Sequence, residues 1–167
     1  MSGASSWSFR EDDSRAIQVI LSGFLAESNA RTALIVDRTG QMVATVGESP
    51  QFDPTAFASL TAADFSANDQ LARMLGEPEF GALFHQGERE SMYLADVARR
   101  VILVVLFDNR TTLGMIRIKV KGVVRELSEI FREMFDRSAA APQSSRVVEA
   151  GFVDEAEDEI DRLFGDL

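Results

Sequence analysis

The 167-residue sequence has no cysteine, a single histidine, one tryptophan, one tyrosine and only four prolines. Without cysteine, disulfides and thiolate metal centres are excluded, which fits a reducing compartment. One histidine leaves too few ligands for an ordinary zinc site, so no metal and no cofactor is expected. Long apolar runs are missing as well. The longest, Val101 to Phe107, is far below the ~20 residues of a membrane-spanning helix. Met1 to Arg10 is polar and Ser-rich and has no apolar core behind a basic start, so the expectation is a cytoplasmic rather than a secreted protein. Basic charge is scarce too. Seventeen Lys and Arg stand against 27 Asp and Glu, a net charge of −10. A phosphodiester backbone is bound through a basic face, so nucleic acid is not an expected partner. Much of the acidity is local: residues 152–167 hold seven acidic side chains against one arginine, a net of −6, and the rest of the chain is only mildly acidic.

What remains is ordinary globular material, 46% hydrophobic and 26% charged. A chain of this length suffices for one domain plus tails, burying roughly 70% of its unfolded surface. Between Arg10 and Ser28, Ile17, Ile20, Leu21, Phe24 and Leu25 recur at helical spacing, which predicts a first helix. Ala33 to Asp37 and Met42 to Val46 read as two strands joined through Gly40. Asp53 before Pro54 is a helix start, and the second helix is expected to run to about Leu75 with Gly76 as its stop. Three more strands follow, Ala82 to Gln86, Ser91 to Ala98 and Val101 to Phe107. The last is apolar throughout, as a strand covered on both faces should be. Asp108 to Thr111 can cap a long third helix carrying Leu113, Ile116, Val120, Val124, Leu127, Phe131 and Met134. Residues 1–9 precede the fold, 10–137 form it, 138–151 are Ala/Ser-rich with Pro142 and read as a flexible linker, and 152–167 read as an acidic amphipathic helix.

Catalytic constellations are lacking. There is no Gly-x-x-x-x-Gly-Lys phosphate loop and no Gly-x-Ser-x-Gly elbow. His85, between Phe84 and Gln86 in a short strand, is better read as structural than as a base. Asp154 to Asp161 lacks the central glycine of a calcium loop. The chain is therefore expected to be a binding module and not an enzyme, with no catalytic residue of its own.

The segments Val36-Asp37-Arg38-Thr39-Gly40-Gln41, Ser59-Leu60-Thr61-Ala62, Leu75-Gly76-Glu77 and Phe84-His85-Gln86-Gly87 resemble the Roadblock-type MglB proteins of bacteria. So does Val104-Val105-Leu106-Phe107-Asp108-Asn109-Arg110-Thr111-Thr112-Leu113-Gly114, and Asp158 to Phe164 is similar to their C-terminal end. The resemblance spans about Arg10 to Asp136. It implies an α/β fold of the Roadblock/longin kind, α-β-β-α-β-β-β-α, with a five-stranded antiparallel sheet sandwiched between helices one and three on one face and helix two on the other. It also implies a homodimer in which the third strands pair, with Phe84 and His85 at the seam, and the second helices lie side by side. The implied partner is a small Ras-like GTPase of the MglA kind. Two copies of the chain would engage one GTPase and stimulate its GTP hydrolysis by ordering its switch regions, in polarity or motility control and concentrated at a cell pole. A non-catalytic Roadblock scaffold that leaves nucleotide turnover unchanged is the alternative.

Projecting helix two at about 100° per residue groups Phe57, Leu60, Leu71 and Leu75 as the expected inner face. Ser59, Ala62, Ala63, Ser66, Gln70 and Arg73 then point outward. Small side chains admit a close backbone approach, and MglB proteins use this part of the helix for the GTPase. The expected contacts are Ala63, Ser66, Ala67, Gln70 and Arg73. The stripe Ile160, Leu163, Phe164 and Leu167 is expected to make a second contact with the GTPase.

Overall fold

The structure, a computed structural model, describes residues 9–140. Helix α1 spans Glu11–Ser28. It opens with three carboxylates, Glu11, Asp12 and Asp13, beside the unpaired amides and positive dipole end of its first turn, and it closes on Asn29 in the left-handed region. Strands β1 (Thr32–Asp37) and β2 (Met42–Gly47) form the first hairpin, and α2 (Pro54–Met74) follows. Strands β3 (Ala82–His85), β4 (Ser91–Val97) and β5 (Val101–Phe107) precede α3 (Leu113–Ala140). The sheet runs β2-β1-β5-β4-β3, and every neighbouring pair is antiparallel. β1 and β5, two of its three interior strands, are buried along their whole length, the condition for which an unbroken apolar run such as β5 is suited.

Alternation along the strands divides the core into two layers. Ala33, Ile35, Leu103 and Val105 face α1 and α3, meeting Ile17, Leu21, Phe24, Ile116, Leu127 and Phe131. Leu34, Val36, Ile102, Val104 and Leu94 face α2, where Ala58 and Phe65 fill the layer. The expected sandwich is therefore the observed one.

Local chemistry explains the turns. The buried Asp37 carboxylate accepts hydrogen bonds from the Thr39 amide (2.9 Å), the Thr39 hydroxyl (2.7 Å) and the Gln41 amide (2.9 Å), folding the β1–β2 hairpin. Gly40 sits there with φ +92°, and a Cβ would stand 3.0 Å from Ser59 Cα on α2. At the other end of α2, Gly76 has φ +79°, its amide donates to the Arg73 carbonyl and the Glu77 amide to the Ala72 carbonyl. That is the double closure of a Schellman stop.

Four details depart from expectation. β3 stops at His85 rather than Gln86. β4 stops at Val97 because Ala98 and Arg99 both take positive φ (53° and 58°) in a tight turn into β5, a conformation usually given to Asn and Gly. The cap of α3 is Thr112, whose hydroxyl accepts the Met115 amide at 3.2 Å, while Asp108 bonds Arg110 instead. Finally, α3 continues through Ala140, so residues 138–140 are helical where the linker was expected to begin. The remainder of that expected linker, and the tail at 152–167, lie outside the described residues.

Candidate functional site

Helix α2 starts where Asp53 accepts the Thr55 amide at 3.0 Å, with Pro54 in the first turn. Its inner face differs from the projection. Ala58, Thr61, Ala62, Phe65, Asn68 and Ala72 are the buried positions, whereas Leu60 (71%), Leu71 (56%) and Leu75 (73%) are exposed, and Met74 (81%) with them. The reason is packing distance. Small side chains around one phenylalanine let the helix lie close on the sheet, and this contact outweighs the larger but off-axis leucines. Ala62, expected outside, is accordingly inside, and Phe57 is only half-buried, stacked on Phe52 at 4.2 Å.

The helix thus presents three strips to solvent. Ala63, Ala67, Gln70 and Met74 form the crest, all exposed. On the flank nearest β3 lie Leu60, Asp64, Leu71 and Leu75. His85 of β3 fixes that flank, with Nε2 2.6 Å from Asp64 Oδ2. Its neighbour Phe84 is half-buried and stacks on Phe107 at 6.1 Å. β3 itself is an edge strand with one side unpaired among the described residues.

The opposite flank carries Ser66 and Arg73 and borders a polar cleft of about 310 Å³ that Arg38, Asp69, Glu79 and Arg99 also line. Arg38 holds this cleft together. Its guanidinium bonds Asp69 Oδ2 at 2.7 Å and Asp96 Oδ1, and lies 4.8 Å from the centre of the Phe65 ring. Burial opposes its charge, but the hydrogen bonds it donates to the Asp96 and Asp69 carboxylates, with their negative charge, outweigh burial and leave the arginine pKa raised. The Arg38 side chain therefore reaches from the β1–β2 turn to α2 and β4 together.

The Asp108-Asn109-Arg110 run belongs to a second charged cluster, at the other end of the sheet. Arg31 bonds Glu48 (2.8 Å) and Glu90 (3.0 Å), and Arg110 bonds Glu48 (3.0 Å) and Asp108 (3.0 Å). The Glu48 carboxyl is held below its usual range by the hydrogen bond from Arg31, then by that from Arg110; Asp108 is held down chiefly by Arg110. These pairs are exposed and brace loops rather than form a reaction centre. Among the described residues no group of three or more His, Cys, Asp or Glu is arranged to hold a metal, and no helix is long and apolar enough to cross a membrane.

Of the residues expected at the site, Ala63, Ser66, Ala67, Gln70 and Arg73 are all exposed on α2, with Ser66 and Arg73 turned toward the cleft. Ile160, Leu163, Phe164 and Leu167 lie outside the described residues. The exposed flank of Leu60, Leu71 and Leu75 escaped the projection as a surface. Periodicity reveals a stripe but not which way it faces.

Residues 16–107 match the Roadblock/LC7 domain, and the chain belongs to that family. Within it, the chain is similar to MglB of Myxococcus xanthus, with 39% identity and a TM-score of 0.67 over 70% of this chain and 95% of that one. The gliding protein MglB of Thermus thermophilus is 30% identical, with a TM-score of 0.71 over 77% of this chain and 97% of that one. A structure described as MglB with a tetrameric arrangement gives the same identity and coverage and a TM-score of 0.72. A Roadblock/LC7 domain from Streptomyces avermitilis, at 11% identity and a TM-score of 0.54, shares the fold alone. A search of curated proteins found no match.

Proposed function

We propose that the chain is a regulator of a small Ras-like GTPase of the MglA kind, acting as a homodimer that stimulates GTP hydrolysis without an active site of its own. The observation that carries this reading is the outward face of α2. There a crest of small residues, Ala63 and Ala67, runs beside exposed leucines in a chain 39% and 30% identical to MglB proteins.

The two strips have different roles. Antiparallel pairing of β3 edges, with Phe84 and His85 at the seam, would continue the sheet across a two-fold axis and remove an open edge. Because His85 and Asp64 tie β3 to one flank of α2, that pairing turns Leu60, Leu71 and Leu75 toward the axis. The crest then stays open for the GTPase, with Ala63, Ser66, Ala67, Gln70 and Arg73 as contacts and one GTPase spanning two copies. Such a regulator works by differential affinity: it binds the hydrolytic arrangement of the switch segments better than the relaxed one. A polar cellular location and a role in polarity or motility belong to the same reading.

Single-turnover GTP hydrolysis by the cognate GTPase, with and without this chain, tests it. Stimulation supports a regulator, and binding without stimulation supports a scaffold. Arg73, on the flank facing the cleft, acts as a surface cation rather than as an arginine finger. A large fall in rate for Arg73→Ala with affinity preserved would reverse that assignment.

A further inference from the structure

Three guanidiniums and two carboxylates line the polar cleft beside the crest of α2, and all but one of them are paired. Arg99 takes Glu79 at 3.1 Å, and Arg38 takes Asp69 at 2.7 Å together with Asp96. Arg73, exposed on the flank between the crest and the cleft, forms no ion pair among the described residues. With Asp96 included, the charges cancel, Arg38, Arg73 and Arg99 against Asp69, Glu79 and Asp96. What the cleft offers an incoming group is therefore one unengaged guanidinium and not a basic field.

Local sequence alone would engage it. Asp69 and Arg73 stand four residues apart on α2 with the acid on the N-terminal side, the favourable order for a helical ion pair. Asp69 instead meets Arg38, which comes from the β1–β2 turn and is fixed on three sides: by Asp69, by Asp96 of β4 and by the Phe65 ring, 4.8 Å from its guanidinium carbon. Asp69 accepts no other side-chain hydrogen bond among the described residues. Asp96 has a second donor, the Arg99 amide at 2.9 Å. Loss of the Arg38 guanidinium would thus leave Asp96 held, whereas Asp69 would have Arg73, one helical turn away, as its nearest replacement on α2.

We propose that Arg38 is a positioning residue that keeps Asp69 from Arg73, so that Arg73 stays free for a carboxylate on the partner that covers the crest. The partner half of this inference rests on the GTPase reading; the competition for Asp69 within the chain does not. An exposed helical pair at this spacing is closed about two-thirds of the time. Releasing Asp69 from Arg38 therefore leaves Arg73 free about one-third of the time, and the affinity of a partner that needs it falls about two- to threefold. Arg38 acts through Arg73, so the hydrolysis rate at saturation does not change with it.

The test compares the parent chain with Arg38→Met, which keeps an aliphatic stem against Phe65 but no cation, with Arg38→Met/Asp69→Asn, and with Arg73→Met. In the chain alone, exchange of the Arg73 Nε–H with water, read by NMR, should slow about twofold in Arg38→Met and return to the parent rate in the double variant. With the cognate Ras-like protein, the concentration of chain giving half-maximal GTP hydrolysis should rise about two- to threefold in Arg38→Met, with the saturated rate unchanged. It should rise further in Arg73→Met and return to the parent value when Asp69→Asn is added to Arg38→Met. A purely structural Arg38 would show no such rescue, because Asp69→Asn restores nothing that Arg38 braced. Arg38→Lys, which holds one carboxylate but not two, should fall between parent and Arg38→Met, and it serves where the methionine variant does not fold. Unchanged exchange at Arg73 in Arg38→Met would overturn the proposal, as would a rise in half-maximal concentration that Asp69→Asn does not reverse. Absence of stimulation by the parent chain would overturn the GTPase reading and the partner half of the proposal with it, and exchange at Arg73 would then decide the competition within the chain.

Discussion

Leu71→Ala separates the flank of α2 from its inner face. Leu71 is 56% exposed in the single chain, so a partner that covers it removes about half a leucine side chain from water. Burying a whole leucine is worth about 1.5–3 kcal/mol, which makes the loss on truncation about 1–1.5 kcal/mol per copy. Two-fold symmetry doubles it to about 2–3 kcal/mol, a 30- to 150-fold weaker dimer. Monomer stability should change by no more than about 0.5 kcal/mol, as for other surface truncations. Phe65→Ala, on the buried face of the same helix, should instead cost the fold about 3–5 kcal/mol. Sedimentation equilibrium across a dilution series reads the dimer constant, and urea unfolding of the dissociated chain reads the fold. An unchanged dimer constant, or a monomer destabilised like Phe65→Ala, would refute the assignment of Leu71 to an intersubunit flank.

Three further outcomes follow from local geometry. Gly40→Ala forces an L-residue to φ +92° and brings its Cβ 3.0 Å from Ser59 Cα; urea unfolding should register a loss of about 1–3 kcal/mol. Replacing Ala98 and Arg99 together by Asn and Gly suits their two positive φ angles, and thermal unfolding should show a gain of about 1 kcal/mol. Glu48, Asp108 and Glu27 all have lowered pKa values in the fold, set first by Arg31, Arg110 and Lys119 respectively. The unfolded chain therefore binds more protons, so their contribution is fully present above the ordinary carboxylate range and is lost as pH falls through the depressed folded values. The urea midpoint should be level above about pH 5 and fall below about pH 4, with a shallower fall in Glu48→Gln.

The sequence made the element order legible because its punctuation is chemical. Asp53-Pro54 starts α2, Gly76 ends it, and the unbroken apolar run of β5 announces a strand covered on both sides. It misplaced the inner face of α2, since leucines at helical spacing look like a core stripe whether they meet the sheet or another copy. Only the closeness of Ala58, Ala62, Phe65 and Ala72 to the sheet decides that. The turn at Ala98 and Arg99 carried no turn residue to betray it. Arg38 could not be paired with Asp69 and Asp96 from spacing, because they come from three different elements. Helical periodicity placed Ala63 and Gln70 on the outward face of α2, where they are found, but their choice with Ala67 as expected GTPase contacts came from family resemblance.

The central claim is that the crest of α2 engages a GTPase and speeds its hydrolysis. Its most direct measurement is single-turnover GTP hydrolysis by the cognate Ras-like protein, with saturating parent chain and with Ala67→Arg. Ala67 is exposed on the crest, so the variant should fold and dimerise as the parent does. The account predicts a clear rate increase with the parent chain and a return to the intrinsic rate with Ala67→Arg. Equal stimulation by both, or none by either, would contradict it.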